Sequence, residues 1–246
     1  MIPVAIAASL VAVAIAVSRI ERLGLESELA IAAVRALVQL SAVAAVVLVI
    51  FRHFWFAVPV LAVMLGAASW TSGRRLARVP RGTWLAAASI VVGSAVALMV
   101  LFGLHALEFE PRFFIPIAGM LIGNCMTATS LAGARLRDEL TDKLLEVEAR
   151  LALGIPARDC IRPYARRAVA ASLIPTIDAT KNVGIILLPG AFVGTIIGGA
   201  SPERAAQIQL IVLFMLLGAV SVAAMTATIL VGRAFIAPGE RIVLPS

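Results

Sequence analysis

Charge is absent from long stretches of this chain, and the stretches recur at a nearly constant length. Uncharged runs cover residues 1–18, 53–73, 82–107, 113–134, 182–202 and 205–232, and the run 29–51 is broken only by Arg35. A helix needs about 20 apolar residues to cross a hydrocarbon core at 1.5 Å per residue. The pattern therefore predicts an all-α integral membrane protein with seven transmembrane helices and one transmembrane domain over 1–246. The first run has no basic residue before it, and Arg19 and Arg22 follow it. That is the wrong order for a cleaved signal, so it is expected to stay as the first helix.

Composition fits the pattern. Of 246 residues, 61% are hydrophobic and 14% charged, against about 25% charged in soluble domains. The net charge of +7 would suit nucleic acid, but the position of the charges says more than their sum. Seven crossings place 17 of the 21 Lys and Arg on one side, in 19–28, 74–81, 135–181 and the tail from Arg233. The positive-inside rule then predicts the N-terminus outside and the C-terminus in the cytoplasm. Expected partners are the lipid bilayer and protein, with no nucleic acid.

The one sizeable polar segment, 135–167, reads as amphipathic. Leu136, Leu140, Leu144, Val147 and Leu151 recur at helical spacing, and Glu139 with Lys143 and Glu146 with Arg150 form i,i+4 pairs. Gly154 and Pro156 mark a helix stop and restart. Two readings stand: an extension of the fifth helix or a surface helix, and a docking element. The second draws on Glu148, Ala149, Arg150 and Gly154, a fragment similar to the cytoplasmic loop by which ABC-importer permeases bind their ATPases.

Polar groups inside the spans are functional candidates by default. Arg35 and Gln39 share a face of span two, and Asn124, Cys125, Met126 and Thr127 follow Gly123 in span five. Asp178, Lys181 and Asn182 follow Pro175, either as an interfacial ion pair or beside a helix broken at Pro175 and Pro189. Gly119 and Gly123, and Gly190, Gly194 and Gly198, form small-residue ridges for helix packing. Seven methionines could offer soft sulfur to a metal or simply fill core volume. Metal ligands stay unassigned. Cys125 and Cys160 match no metal or redox spacing, His53 and His105 stand alone, and no catalytic constellation assembles.

The carboxy-terminal half carries a denser signal. Gly119-Met120-Leu121-Ile122-Gly123-Asn124, the charged helix ending at Gly154, and the run from Leu173-Ile174-Pro175 through Asp178-Ala179-Thr180-Lys181-Asn182-Val183-Gly184 come in order. Leu188-Pro189-Gly190 and Gln207-Ile208-Gln209 follow. Over about 113–231 this resembles the FetB-like ABC transporter permease family, which contains bacterial iron-export permeases and plant aluminium-sensitivity permeases. The resemblance implies the permease subunit of an ABC transporter in a bacterial inner (plasma) membrane, working as a homodimer with a separate cytoplasmic ATPase subunit. It implies export of iron or another metal ion, while the plant members suggest a nucleotide sugar. The chain has no Gly-x-x-x-x-Gly-Lys phosphate loop. It is therefore expected to be no enzyme and to bind no cofactor, with ATP and Mg used by the partner. A secondary transporter or channel, and a membrane scaffold, are the rival readings.

Overall fold

The computed structural model describes residues 2–52, 54–106, 109 and 111–244, so His53 lies outside the described residues. The chain divides into two compact units, Met1–Phe56 and Ala57–Ser246. The first is a pair of helices, α1 (Ile2–Ile20) and α2 (Glu26–Arg52), followed by a short 3₁₀ turn (Phe54–Phe56). The turn between the two helices is tied by Ser18, whose hydroxyl donates to Glu26 Oε1 at 2.9 Å and accepts from Leu25 N at 3.2 Å. A hydrogen bond from the Glu26 backbone amide, the largest influence, and the Ser18 bond hold the Glu26 carboxyl below its ordinary pKa.

The second unit opens with α3 (Ala57–Arg75), α4 (Gly82–Gly103) and α5 (Pro111–Asp142). The chain continues through α6 (Leu144–Ala152), α7 (Ala157–Lys181), α8 (Gly190–Ile197) and α9 (Pro202–Ala234) to a hairpin of β1 (Ile236–Ala237) and β2 (Arg241–Ile242). Helix α9 packs along α4, α5 and α7, and α3 lies against α4 and α5. Close approach is set by Gly93: a Cβ there would come within 2.7 Å of both Ala219 O and Ala223 Cβ on α9. Among the described residues, three helices are long and apolar enough to cross a membrane: Gly82–Gly103, Phe114–Asp142 and Pro202–Ala234. Three apolar clusters of described residues fill the unit, the smallest being Ala128, Ala132, Val220 and Ala224; the two larger ones lie on either side of it along α5. One gathers Ile90, Leu121, Cys125 and Ala219, and the other gathers Leu76, Leu136, Leu140, Val147, Tyr164, Val231 and Phe235 at the basic end.

Helices occur where the runs 1–18, 29–51, 53–73, 82–107, 113–134 and 205–232 predict them. The run 182–202 does not form a spanning helix. Its one helix, α8, has eight residues, about 12 Å of rise against a core of about 30 Å. The backbone explains this: Gly184 and Gly199 take positive φ of 82° and 93°, Pro189 caps the start of α8 and Gly198 its end. Absence of charge is blind to such helix ends. The neighbouring long helix is α7, about 37 Å over 25 residues. It passes through Pro163 and Pro175, so the break expected at Pro175 falls instead at the C-cap Asn182.

Candidate functional site

The basic end is built from the amphipathic segment. Leu136, Leu140 and Val147 are fully buried, as their spacing requires. The segment is not one helix: α5 carries on to Asp142, and Lys143 is the N-cap of α6. The Lys143 N–H still donates to Glu139 O at 3.1 Å, but no Glu139–Lys143 ion pair forms among the described residues. Glu139 is instead shared between Arg135 at 3.6 Å and Arg167 at 3.8 Å, whereas Glu146 and Arg150 do meet, at 3.9 Å. Each pair has an exposed arginine or glutamate, and Glu139 itself is half-buried; such pairs near the surface contribute about 1 kcal/mol or less each.

Glu148 and Ala149 are exposed on α6, and Arg150 is half-buried. Gly154 closes the helix at φ +81°. Its N–H donates to Leu151 O at 2.9 Å and the Ile155 N–H donates to Arg150 O at 3.2 Å, the paired bonds of a Schellman end. A side chain at Gly154 would meet no atom within 4 Å. Only the left-handed backbone, a cost of about 1 kcal/mol for other residues, selects glycine there.

The tail completes this end, and no sequence pattern marks it. Glu240 Oε2 accepts from the Ala157 N–H at 2.6 Å, so the hairpin carries a carboxylate to the start of α7, where the helix dipole favours negative charge. Glu148, Gly154 and Pro156 face Gly239, Glu240 and Arg241 across a groove of about 570 Å³. Leu145 and Leu153, 82% and 80% exposed, project from α6. Below them the thiol of Cys160 and the hydroxyl of Tyr164 have pKa values raised chiefly by burial.

A second place lies deeper, where α5, α7 and α9 enclose a cavity of about 170 Å³. Asn124, Thr127, Ser172, Thr176 and Thr180 line it with apolar neighbours. Asn124 Nδ2 donates to Met120 O at 2.8 Å. The hydroxyls of Thr127, Ser172 and Thr180 donate to Gly123 O, Val169 O and Thr176 O at 3.2, 2.7 and 2.8 Å. With their hydroxyl protons spent on their own helices, Thr127, Ser172 and Thr180 offer oxygen lone pairs, while Asn124 keeps its carbonyl oxygen and a second amide N–H. Asn124 and Thr127 are among the polar candidates of span five, whereas hydroxyls such as Ser172, Thr176 and Thr180 are common in apolar helices and do not stand out in the sequence.

The remaining candidates scatter. Cys125 is buried and Met126 half-buried in the apolar cluster beside Met64, Met120 and Met215, away from the cavity that Asn124 lines. Asp178, Lys181 and Asn182 are exposed at the far end of α7, and no ion pair joins Asp178 to Lys181 among the described residues. Arg35 and Gln39 are exposed on α2, in the other unit. Gly119 accommodates the Met64 methyl, but a Cβ on Gly123, Gly190 or Gly194 would meet nothing within 4 Å, and on Gly198 only α8's own carbonyls. Of the ridge glycines, Gly119 thus makes a close contact of α5 with α3, alongside Gly93 between α4 and α9 and Gly73 against Thr83. No group of three or more metal-ligating His, Cys, Asp or Glu occurs among the described residues.

Long apolar helices, a basic end and a polar-lined interior define an α-helical, multi-pass membrane protein. The chain belongs to the uncharacterised protein family UPF0014, whose pattern matches residues 1–236. It is 43% identical over 235 residues to the UPF0014 membrane protein STAR2 of Oryza sativa, covering 95% of this chain and 82% of that one. It is 41% identical to the protein ALUMINUM SENSITIVE 3 of Arabidopsis thaliana, over 93% of this chain and 85% of the relative. The probable iron export permease protein FetB of Escherichia coli is 34% identical, over 94% and 90%. No solved structure matches.

Proposed function

We propose that this chain is the permease subunit of an ABC transporter. In this reading seven segments cross the bilayer, α7 taking the place of the sixth run, and the basic end faces the cytoplasm. Two copies pair, and a separate ATPase that uses ATP and Mg docks at that end. The observation that carries the reading is the groove between the α6 turn and the tail hairpin, flanked by Leu145 and Leu153. Large apolar side chains standing in water beside a built groove mark an interaction surface. Buried Val147 joins α6 to Leu136 and Leu140 of α5 and to Tyr164 of α7. A push on α6 would thus reach α5 and α7, two of the three helices that enclose the deeper cavity, and a packed interface converts such a push into a switch between discrete arrangements.

The cargo proposed is a metal cation, iron foremost, exported from the cytoplasm. Lone-pair oxygens of Asn124, Thr127, Ser172, Thr176 and Thr180 suit a cation replacing its water, and one relative is named as a probable iron export permease. The test is co-purification with a candidate ABC ATPase from the same genome, followed by ATP hydrolysis with and without Glu148→Lys. A stable complex whose hydrolysis depends on the permease, and falls about tenfold or more in the variant, is expected. A chain that binds no ATPase yet moves metal down an ion gradient would be a secondary transporter and would overturn the reading.

A further inference from the structure

Helices α7 and α9 leave a second groove at the basic end, about 850 Å³ in volume. Arg158, Arg162 and Arg166 stand one turn apart on one face of α7, and Arg233 adds a fourth guanidinium from the last turn of α9. All four are exposed, and none forms an ion pair among the described residues, in contrast to Arg167, which meets Glu139. Asp159 is the one acid in the lining among those residues. The floor is Val169, Leu173, Met225 and Ile229. These side chains fall in uncharged stretches, 168–177 of α7 and 205–232 of α9. The groove thus passes from an arginine rim to an apolar floor at the depth of the hydrocarbon.

A water-soluble subunit cannot reach that floor. A second copy placed by a two-fold axis would set this patch against itself, arginine facing arginine. An anionic phospholipid matches both parts. Its phosphate accepts charge-assisted hydrogen bonds from guanidinium groups, and its acyl chain covers the floor. Basic pockets between membrane helices hold anionic headgroups on the same physical grounds. We infer that the α7–α9 groove binds one anionic glycerophospholipid, with its phosphate at Arg158, Arg162, Arg166 and Arg233 and an acyl chain along Val169, Leu173, Met225 and Ile229. This inference rests on the chain lying in a bilayer and not on an ATPase partner.

The test uses the full chain in an uncharged detergent, titrated with phosphatidylglycerol, phosphatidylcholine or glycerol 3-phosphate. Bound lipid is read by native mass spectrometry and stabilisation by thermal melting. Phosphatidylglycerol should bind one molecule per chain in preference to the other two. An arginine near an anionic group contributes about fivefold in affinity, so R158Q/R162Q/R166Q should bind about 100-fold more weakly. The same loss of charge in R74Q/R75Q/R78Q should leave binding within about twofold, which guards against a general charge effect. Ile229→Trp, which fills the floor and spares the arginines, should also prevent binding. Equal binding of phosphatidylcholine or of glycerol 3-phosphate would overturn the assignment, as would equal loss in the two triple variants. Efficient disulfide cross-linking of two copies through Ile229→Cys would show a subunit interface instead and overturn it as well.

Discussion

The two ends of the Ala57–Ser246 unit are built on opposite terms. At the basic end, a stretch rich in charge buries Leu136, Leu140, Val147 and Tyr164, and its helices are closed by Gly154 and Glu240. At the other end of α7, the apolar stretch 182–201 leaves Ile185 90% exposed and most of its neighbours open. Between these two segments the difference lies in sidedness, although α4, uncharged from end to end, packs closely on α9 through Gly93. An amphipathic helix has one face to hide and finds a partner for it.

The contrast can be broken most strongly by truncating one buried and one open side chain. Leu140→Ala should cost about 3 kcal/mol through lost burial and a residual cavity, whereas Ile185→Ala should change stability by less than about 0.5 kcal/mol. Thermal melting in detergent compares the two, and equal losses would erase the difference between the ends. Next in size are the glycines. Gly93→Ala should cost about 2 kcal/mol by overpacking against Ala219 and Ala223. Gly194→Ala, whose Cβ meets nothing within 4 Å, should be neutral or slightly stabilising in the same melts.

The smallest effect concerns protons. Burial raises the Cys160 pKa, and its Sγ lies 3.5 Å from Ile155 O. A raised folded pKa means the contribution is fully present below the unfolded thiol value, about 8.5, and is lost as pH rises through the folded value. Alkylation of Cys160 at about pH 8 should therefore be slow in the folded chain and become fast on unfolding. Fast alkylation of the folded chain would contradict its burial.

Much of this architecture is legible in the amino-acid sequence. Uncharged runs locate α1 to α5 and α9, because a bilayer imposes length and polarity directly. The spacing of Leu136, Leu140 and Val147 identifies the buried face, because helical periodicity and burial are one geometric fact. The run 182–202 misleads because hydropathy registers side chains, whereas Gly184, Pro189 and Gly199 act through the backbone. Gly93 gives no signal because its role depends on Ala219 and Ala223, far away along the chain. The tail hairpin and the hydroxyl-lined cavity are silent for the same reason. Each draws its meaning from a distant partner: Glu240 with Ala157, and Thr127 with Thr176.

The most direct test of the docking account places a photo-cross-linking residue at Leu145, at Leu153 and at Ile185 in the full chain, expressed with a candidate ABC ATPase from the same genome. All three positions are exposed apolar side chains, so reactivity and accessibility are matched. The account predicts ATPase adducts from Leu145 and Leu153, reduced by Glu148→Lys, and none from Ile185. Adducts from Ile185, or from none of the three while the chain still transports, would contradict it.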